Sequence, residues 1–71
     1  MDARAEAEKA ARTAYGRLVA YLAARTRDIA AAEEALAAAF LRALEVWPQR
    51  GVPDRPEAWL LVIARNRLKD S

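Results

Sequence analysis

Apolar residues along this chain recur at spacings of three and four, and no run alternates with the period of two that a half-buried strand would need. Ala11, Tyr15, Leu18, Val19 and Leu22 form the stripe of a first helix, predicted over residues 3–26. Gly16 interrupts that helix, reading either as a tolerated lapse in propensity or as a point of close helix approach. Asp28 then offers a carboxylate to the free amides of a new helix start. The second helix, predicted over residues 29–46, carries Ile29, Ala32, Leu36, Phe40, Ala43 and Trp47 on one face. Pro48 disfavours helical geometry at Trp47 and is predicted to end the element.

The segment Pro48–Pro56 holds every proline of the chain and Gly51, and so reads as a stiff, shaped loop. Asp54 and Glu57 have the spacing of a capping box, with Pro56 in the first turn of a third helix predicted over residues 55–69. Its core side is Leu60, Ile63, Ala64 and Leu68, with Trp59 at one edge. The expected fold is all-α: a single domain over residues 1–71, a small bundle of three main helices with a proline-rich loop before the last. Leu18, Leu22, Leu36, Phe40, Leu60 and Ile63 are expected to share one core. Were Phe40 fully buried, truncating it to alanine would cost about 3–5 kcal/mol.

Helical geometry also marks what the core leaves unused. Glu34, Ala38, Leu41 and Glu45 fall on one line of the second helix, opposite the Leu36–Phe40–Ala43 stripe. A large aliphatic residue among alanines, flanked by acids, suits a basic partner helix, and equally suits a solvated face with one stray leucine. On the third helix Val62, Arg65, Asn66 and Lys69 share the outward face, with Arg55 ahead of them. Arginine and lysine can neutralise phosphates, and asparagine can pair with a base edge. The same cations would also suit a solvated helix end. Arg67 points elsewhere, towards the Leu60–Ile63 side, and is expected to snorkel or pair with an acid. Trp47 and Trp59 bracket the loop; either could stack on an unpaired base, and at least one is expected to pack beneath the loop instead.

Composition narrows the chemistry. The chain has 71 residues, no cysteine and no histidine, which excludes disulfide staples, thiolate metal sites and the commonest general base. Its one serine, Ser71, has no histidine to activate it, and the adjacent acids Glu33 and Glu34 project about 100° apart rather than facing each other. With no glycine-rich phosphate loop either, neither an enzyme nor a cofactor or metal site is expected. No apolar run, Ala58–Ala64 included, approaches the roughly 20 residues of a membrane span, and Met1–Lys9 lacks an apolar export core. A cytoplasmic protein with no membrane partner is therefore expected. The net charge of +2 says little, but its distribution says more. Arg4, Lys9, Arg12, Arg17, Arg25 and Arg27 outnumber the acids of the first third, Asp28, Glu33, Glu34 and Glu45 dominate the middle, and Arg50, Arg55, Arg65, Arg67 and Lys69 dominate the last.

The stretch A-E-E-A-L-A-A-A-F-L-R-A-L-E-V-W-P, followed by G-V-P-D-R-P-E-A-W-L-L-V-I-A-R-N-R-L-K-D, resembles region 2 of extracytoplasmic-function sigma factors of the sigma-70 family. The most specific part is W-L-x-x-I-A-R-N-x-x-x-D, Trp59 to Asp70, and the likeness runs from about Tyr15 to Asp70. The resemblance implies that the second helix docks on the coiled-coil clamp of the largest subunit of core RNA polymerase, through Glu34, Ala37, Ala38, Leu41 and Glu45. It implies that the loop and the third helix engage the non-template strand of the promoter minus-ten element, with Arg50, Arg55, Trp59, Arg65, Asn66 and Lys69 as the DNA-binding set. It leaves room for an anti-sigma factor as a further partner. Relatives commonly carry a Gln-Glu pair where Ala37 and Ala38 stand, so two polar side chains are missing from the docking face. A working sigma factor adds a linker and a helix-turn-helix domain, so the chain is expected to be one domain of a longer protein. The alternative is a small alanine-rich interaction or dimerisation domain without DNA binding, associating through Leu41, Val62 and neighbouring alanines.

Overall fold

The computed structural model describes the backbone of residues 3–70 and the side chains of residues 11–70. Three helices follow one another: α1 (Ala3–Thr26), α2 (Ile29–Arg50) and α3 (Pro56–Asp70). α2 is the central element, packed against both neighbours, while α1 and α3 touch far less. No strand occurs among the described residues, so the all-α bundle expected from the apolar spacing is the observed architecture.

The turn between α1 and α2 is built from two local devices. Arg27 takes the left-handed conformation, φ 59°, and its amide reaches back to the Ala23 carbonyl at 2.6 Å, closing the end of α1. Asp28 is extended (φ −142°, ψ 101°), and its carboxylate accepts from the Ala31 amide at 3.0 Å, the N-cap anticipated from the sequence.

α2 continues four residues beyond its predicted end. Pro48 lies inside the helix, which stops only after Arg50. Pro48 cannot donate to the Leu44 carbonyl, but both residues face solvent, where water can take that acceptor. Gly51 closes the helix, donating its amide to the Trp47 carbonyl at 2.8 Å at φ 90°, a conformation that suits glycine. The loop is therefore Gly51–Arg55, shorter than the Pro48–Pro56 segment expected. The capping box is not the arrangement found. The Arg55 carbonyl accepts from the Trp59 amide at 3.0 Å, making Arg55 the cap and Pro56 the first helical residue, while Glu57 turns to α1.

Leu18, Leu22, Ala32, Ala35, Leu36, Ala39, Ala43, Leu60 and Ala64 form the buried core, and no polar side chain among the described residues is buried with them. Phe40 and Ile63, expected in that core, are only partly buried at its margin. Phe40 instead meets Tyr15 of α1 in a tilted ring pair at 5.8 Å. Ile29, also placed on the core stripe by its spacing, is 64% exposed, because it sits in the first turn of α2 where the neighbours do not reach. Ala11 is likewise exposed. At the other end Trp47 and Trp59 pack edge to face at 5.3 Å beneath the loop, with the Trp47 indole N–H buried and unpaired. Gly16 has open space where a Cβ would stand, so no close helix approach explains it.

Three outcomes test this packing by denaturant unfolding. Leu36→Ala should cost about 2–5 kcal/mol, and Phe40→Ala clearly less than Leu36→Ala, since Phe40 is not enclosed. Gly16→Ala should stabilise by about 0.5–1 kcal/mol, a helical site with room for the methyl group. A Phe40→Ala loss equal to that of Leu36→Ala would mean α2 is rotated about its axis from the position described.

Candidate functional site

The outward face of α2 centres on Leu41, which is 64% exposed, with Ala37 and Glu45 exposed beside it and Ala38 half-buried. Ala38 therefore contributes little of the outer surface assigned to it by spacing. Leu44, 72% exposed, belongs to the same surface and was not singled out from the sequence. Its signal was present, since Leu44 stands three residues beyond Leu41 and both lie off the buried stripe. Leu41 and Leu44 join Ala37, Phe40 and Tyr15 in an open, apolar groove between α2 and α1, with Arg12 at its rim.

The acids of this face are not idle. Glu34 accepts a 2.6 Å hydrogen bond from the Arg67 guanidinium of α3, the acid partner expected for Arg67. That hydrogen bond, then the carboxylate's charge, raises the Arg67 pKa above its ordinary value. Both side chains remain about half exposed, so the pair is a solvent-screened tie between α2 and α3, open to exchange with an incoming cation. Glu45 is engaged more loosely by Arg42 at 3.5 Å, one turn away. A second inter-helix tie joins Arg17 of α1 to both carboxylate oxygens of Glu57 at 2.8 and 2.7 Å.

The α3 face divides in two. Val62, Arg65, Asn66 and Lys69 line one shallow surface depression, all four exposed and none acidic. Arg65 and Lys69 are i,i+4 neighbours on that side, whereas Arg67 is turned towards α2 by Glu34. Among the described residues, neither Arg65 nor Lys69 enters an ion pair. Arg50, Arg55 and Trp59 are not part of this group. Arg55 caps the opposite end of α3, about 20 Å from Lys69 at 1.5 Å per residue, and Arg50 closes α2. Trp59 is half-buried against Trp47 and the core, so its ring supports the loop from below. Arg50 and Arg55 are exposed on either side of that loop.

No set of three or more potential metal-ligating side chains clusters among the described residues. No helix described is long and apolar enough to cross a membrane.

The three packed helices thus carry a basic α3 face, an apolar-acidic α2 face and a short shaped loop between them. The model of the Sigma-70 region 2 family matches residues 11–71. This chain belongs to the sigma-70 region 2 family. That family consists of non-enzymatic transcription initiation factors, in which region 2 binds core RNA polymerase and promoter DNA and takes part in melting it. Among curated proteins, an uncharacterized protein of Rhizobium meliloti (strain 1021) is 43% identical over 53 residues, covering 75% of this chain. The matched segment spans 12% of that protein's length. No solved structure matches the chain.

A charge swap separates the Glu34–Arg67 tie from any docking role of Glu34. Glu34→Lys alone places two cations together and should lower the melting temperature. Adding Arg67→Glu should restore most of that loss, as measured by thermal unfolding, while leaving the outward charge of α2 reversed. An equal melting temperature for the single and double variants would show that the tie contributes nothing.

Proposed function

We propose that this chain is the region 2 domain of an extracytoplasmic-function sigma factor, working in the cytoplasm and occupying residues 1–71 as one domain. In this reading the outward face of α2, with Glu34, Ala37, Ala38, Leu41 and Glu45, docks on the coiled-coil clamp of the largest subunit of core polymerase. Alanine at 37 and 38 removes two hydrogen-bonding side chains, so the contact leans on apolar burial at Leu41 and on charge at Glu34 and Glu45. The loop Gly51–Arg55 and the outward side of α3 hold the unpaired non-template strand of the minus-ten element. Arg65 and Lys69 meet phosphate there, with Arg50 and Arg55 guiding the strand past the loop. Asn66 and the loop backbone read base edges. Trp59 is assigned a supporting role, because its ring is already engaged with Trp47. The open state is stabilised by binding energy alone, bases being trapped outside the stack.

The observation that carries the reading is the acid-free surface of Val62, Arg65, Asn66 and Lys69, presented within a chain of the sigma-70 region 2 family. A second reading, self-association through the α2 face without DNA binding, draws on the exposure of Leu41 and Leu44.

Two measurements on holoenzyme reconstituted from the full chain and core polymerase test the assignment. Leu41→Lys should weaken core binding about 10- to 100-fold, the equivalent of losing one buried leucine. Unchanged core affinity would remove the docking face, and a dimer dispersed by the same substitution would favour the second reading. Selection from a random single-stranded pool should show that Val52 and Asp54 substitutions change which bases are preferred. Lys69→Ala should instead weaken all sequences alike and reduce the salt slope by about 0.7, the share of one phosphate contact on a single strand. Base preference indifferent to the loop and to Asn66 would overturn the readout.

A further inference from the structure

Arg65 and Lys69 are shared by two depressions. Besides the outward one with Val62 and Asn66, they border a notch of about 190 Å³ between α3 and the end of α1, lined also by Leu22, Leu68 and Arg25. Its remaining lining is aliphatic and no acid contributes to it, so three cations from two helices converge on one opening. α1 brings Arg25 to this place, its guanidinium lying 4.6 Å from the centre of the Tyr21 ring. An arginine lying over an aromatic ring keeps its charge, and its N–H groups can still take a phosphate. Like charges gathered around an apolar floor repel one another unless an anion bridges them, and among the described residues no carboxylate does so.

We propose that Arg25, Arg65 and Lys69 form a phosphate-binding notch for the nucleic-acid backbone, extending the DNA surface of α3 onto the C-terminal end of α1. The inference rests on the reading of α3 as a DNA-contacting helix. It adds a second helix and a residue, Arg25, that neither the family motif nor the spacing of α3 singles out. Nucleic acid is the favoured source of the phosphate because the notch opens beside the Val62–Asn66 surface and shares both of its cations. A strand crossing that surface can place consecutive phosphates in the two depressions. Holding them from two helices fixes the strand's direction as well as its position.

The test is the dependence of strand binding on salt in the reconstituted holoenzyme, using a fluorescein-labelled oligonucleotide of the sequence selected above, or oligothymidylate where selection yields none. Each phosphate contact on a single strand contributes about 0.7 to the slope of log affinity against log salt. Arg25→Gln should flatten the slope by about that amount and leave base preference unchanged, as Lys69→Ala does. Arg25→Lys, which keeps the charge, should retain the slope and so show that any loss in Arg25→Gln is not unfolding. If Lys69→Ala flattens the slope and Arg25→Gln does not, the notch is overturned and the α3 reading stands. If neither changes it, both fall.

Discussion

Ala32, Ala35, Ala39 and Ala43 present little more than a methyl group each to the helices on either side of α2. Small side chains let the axes come close, and Leu18, Leu22, Leu36 and Leu60 fill the space between them. One helix therefore contacts two partners along its buried side, and the arc left over, centred on Leu41, cannot be covered from within the domain. The bulky residues of that arc are exposed because packing two neighbours around an alanine ridge uses up the opposite side. Exposure of this kind is a consequence of the core, and it is also what gives a partner an apolar surface to bury.

Helix number, order and the first turn were legible in the sequence, since each rests on local chemistry. Asp28 caps α2 through its own carboxylate, and the three-four spacing of Leu18 and Leu22 needs no knowledge of the partner. The misjudged features depended on neighbours. Pro48 was read as a stop because its local preference is strong, yet the helix survives it where the orphaned carbonyl faces water. Phe40 and Ile29 were placed on the core stripe by their spacing, whereas the buried line also runs through Ala35 and Ala39, which that stripe left out. For Trp47 and Trp59 the expectation that at least one packs beneath the loop was met, and what the sequence did not show is that the two rings meet edge to face at 5.3 Å.

On the site, spacing found the companions on α3 and missed what crosses between helices. Arg65, Asn66 and Lys69 follow from one helix's periodicity. The Arg17–Glu57 tie and the approach of Arg25 to α3 join residues far apart in sequence, and their pairing becomes visible only once the helices are placed. Leu44 belongs to a groove whose other wall is Tyr15, a relation that no single-helix pattern contains.

The ion pairs decide which charges remain for a partner. The cations at 65, 67 and 69 would form a diffuse collar around α3 if all were free. Arg67 lies about 200° around the helix from Arg65, and Glu34 draws it towards α2 and neutralises it there. Arg17, likewise, is satisfied by Glu57. What remains positive near α3's end is confined to one side, where Arg65 and Lys69 stand a turn apart and Arg25 approaches from α1. A modest net charge of +2 can thus hold a locally strong field, because neutralisation elsewhere removes the competing cations. Such a field is directional. It favours a polyanion lying along one side of α3 over one wrapped around it, and in the proposed reading Asn66, beside the two cations on that side, would meet a strand whose backbone they already hold.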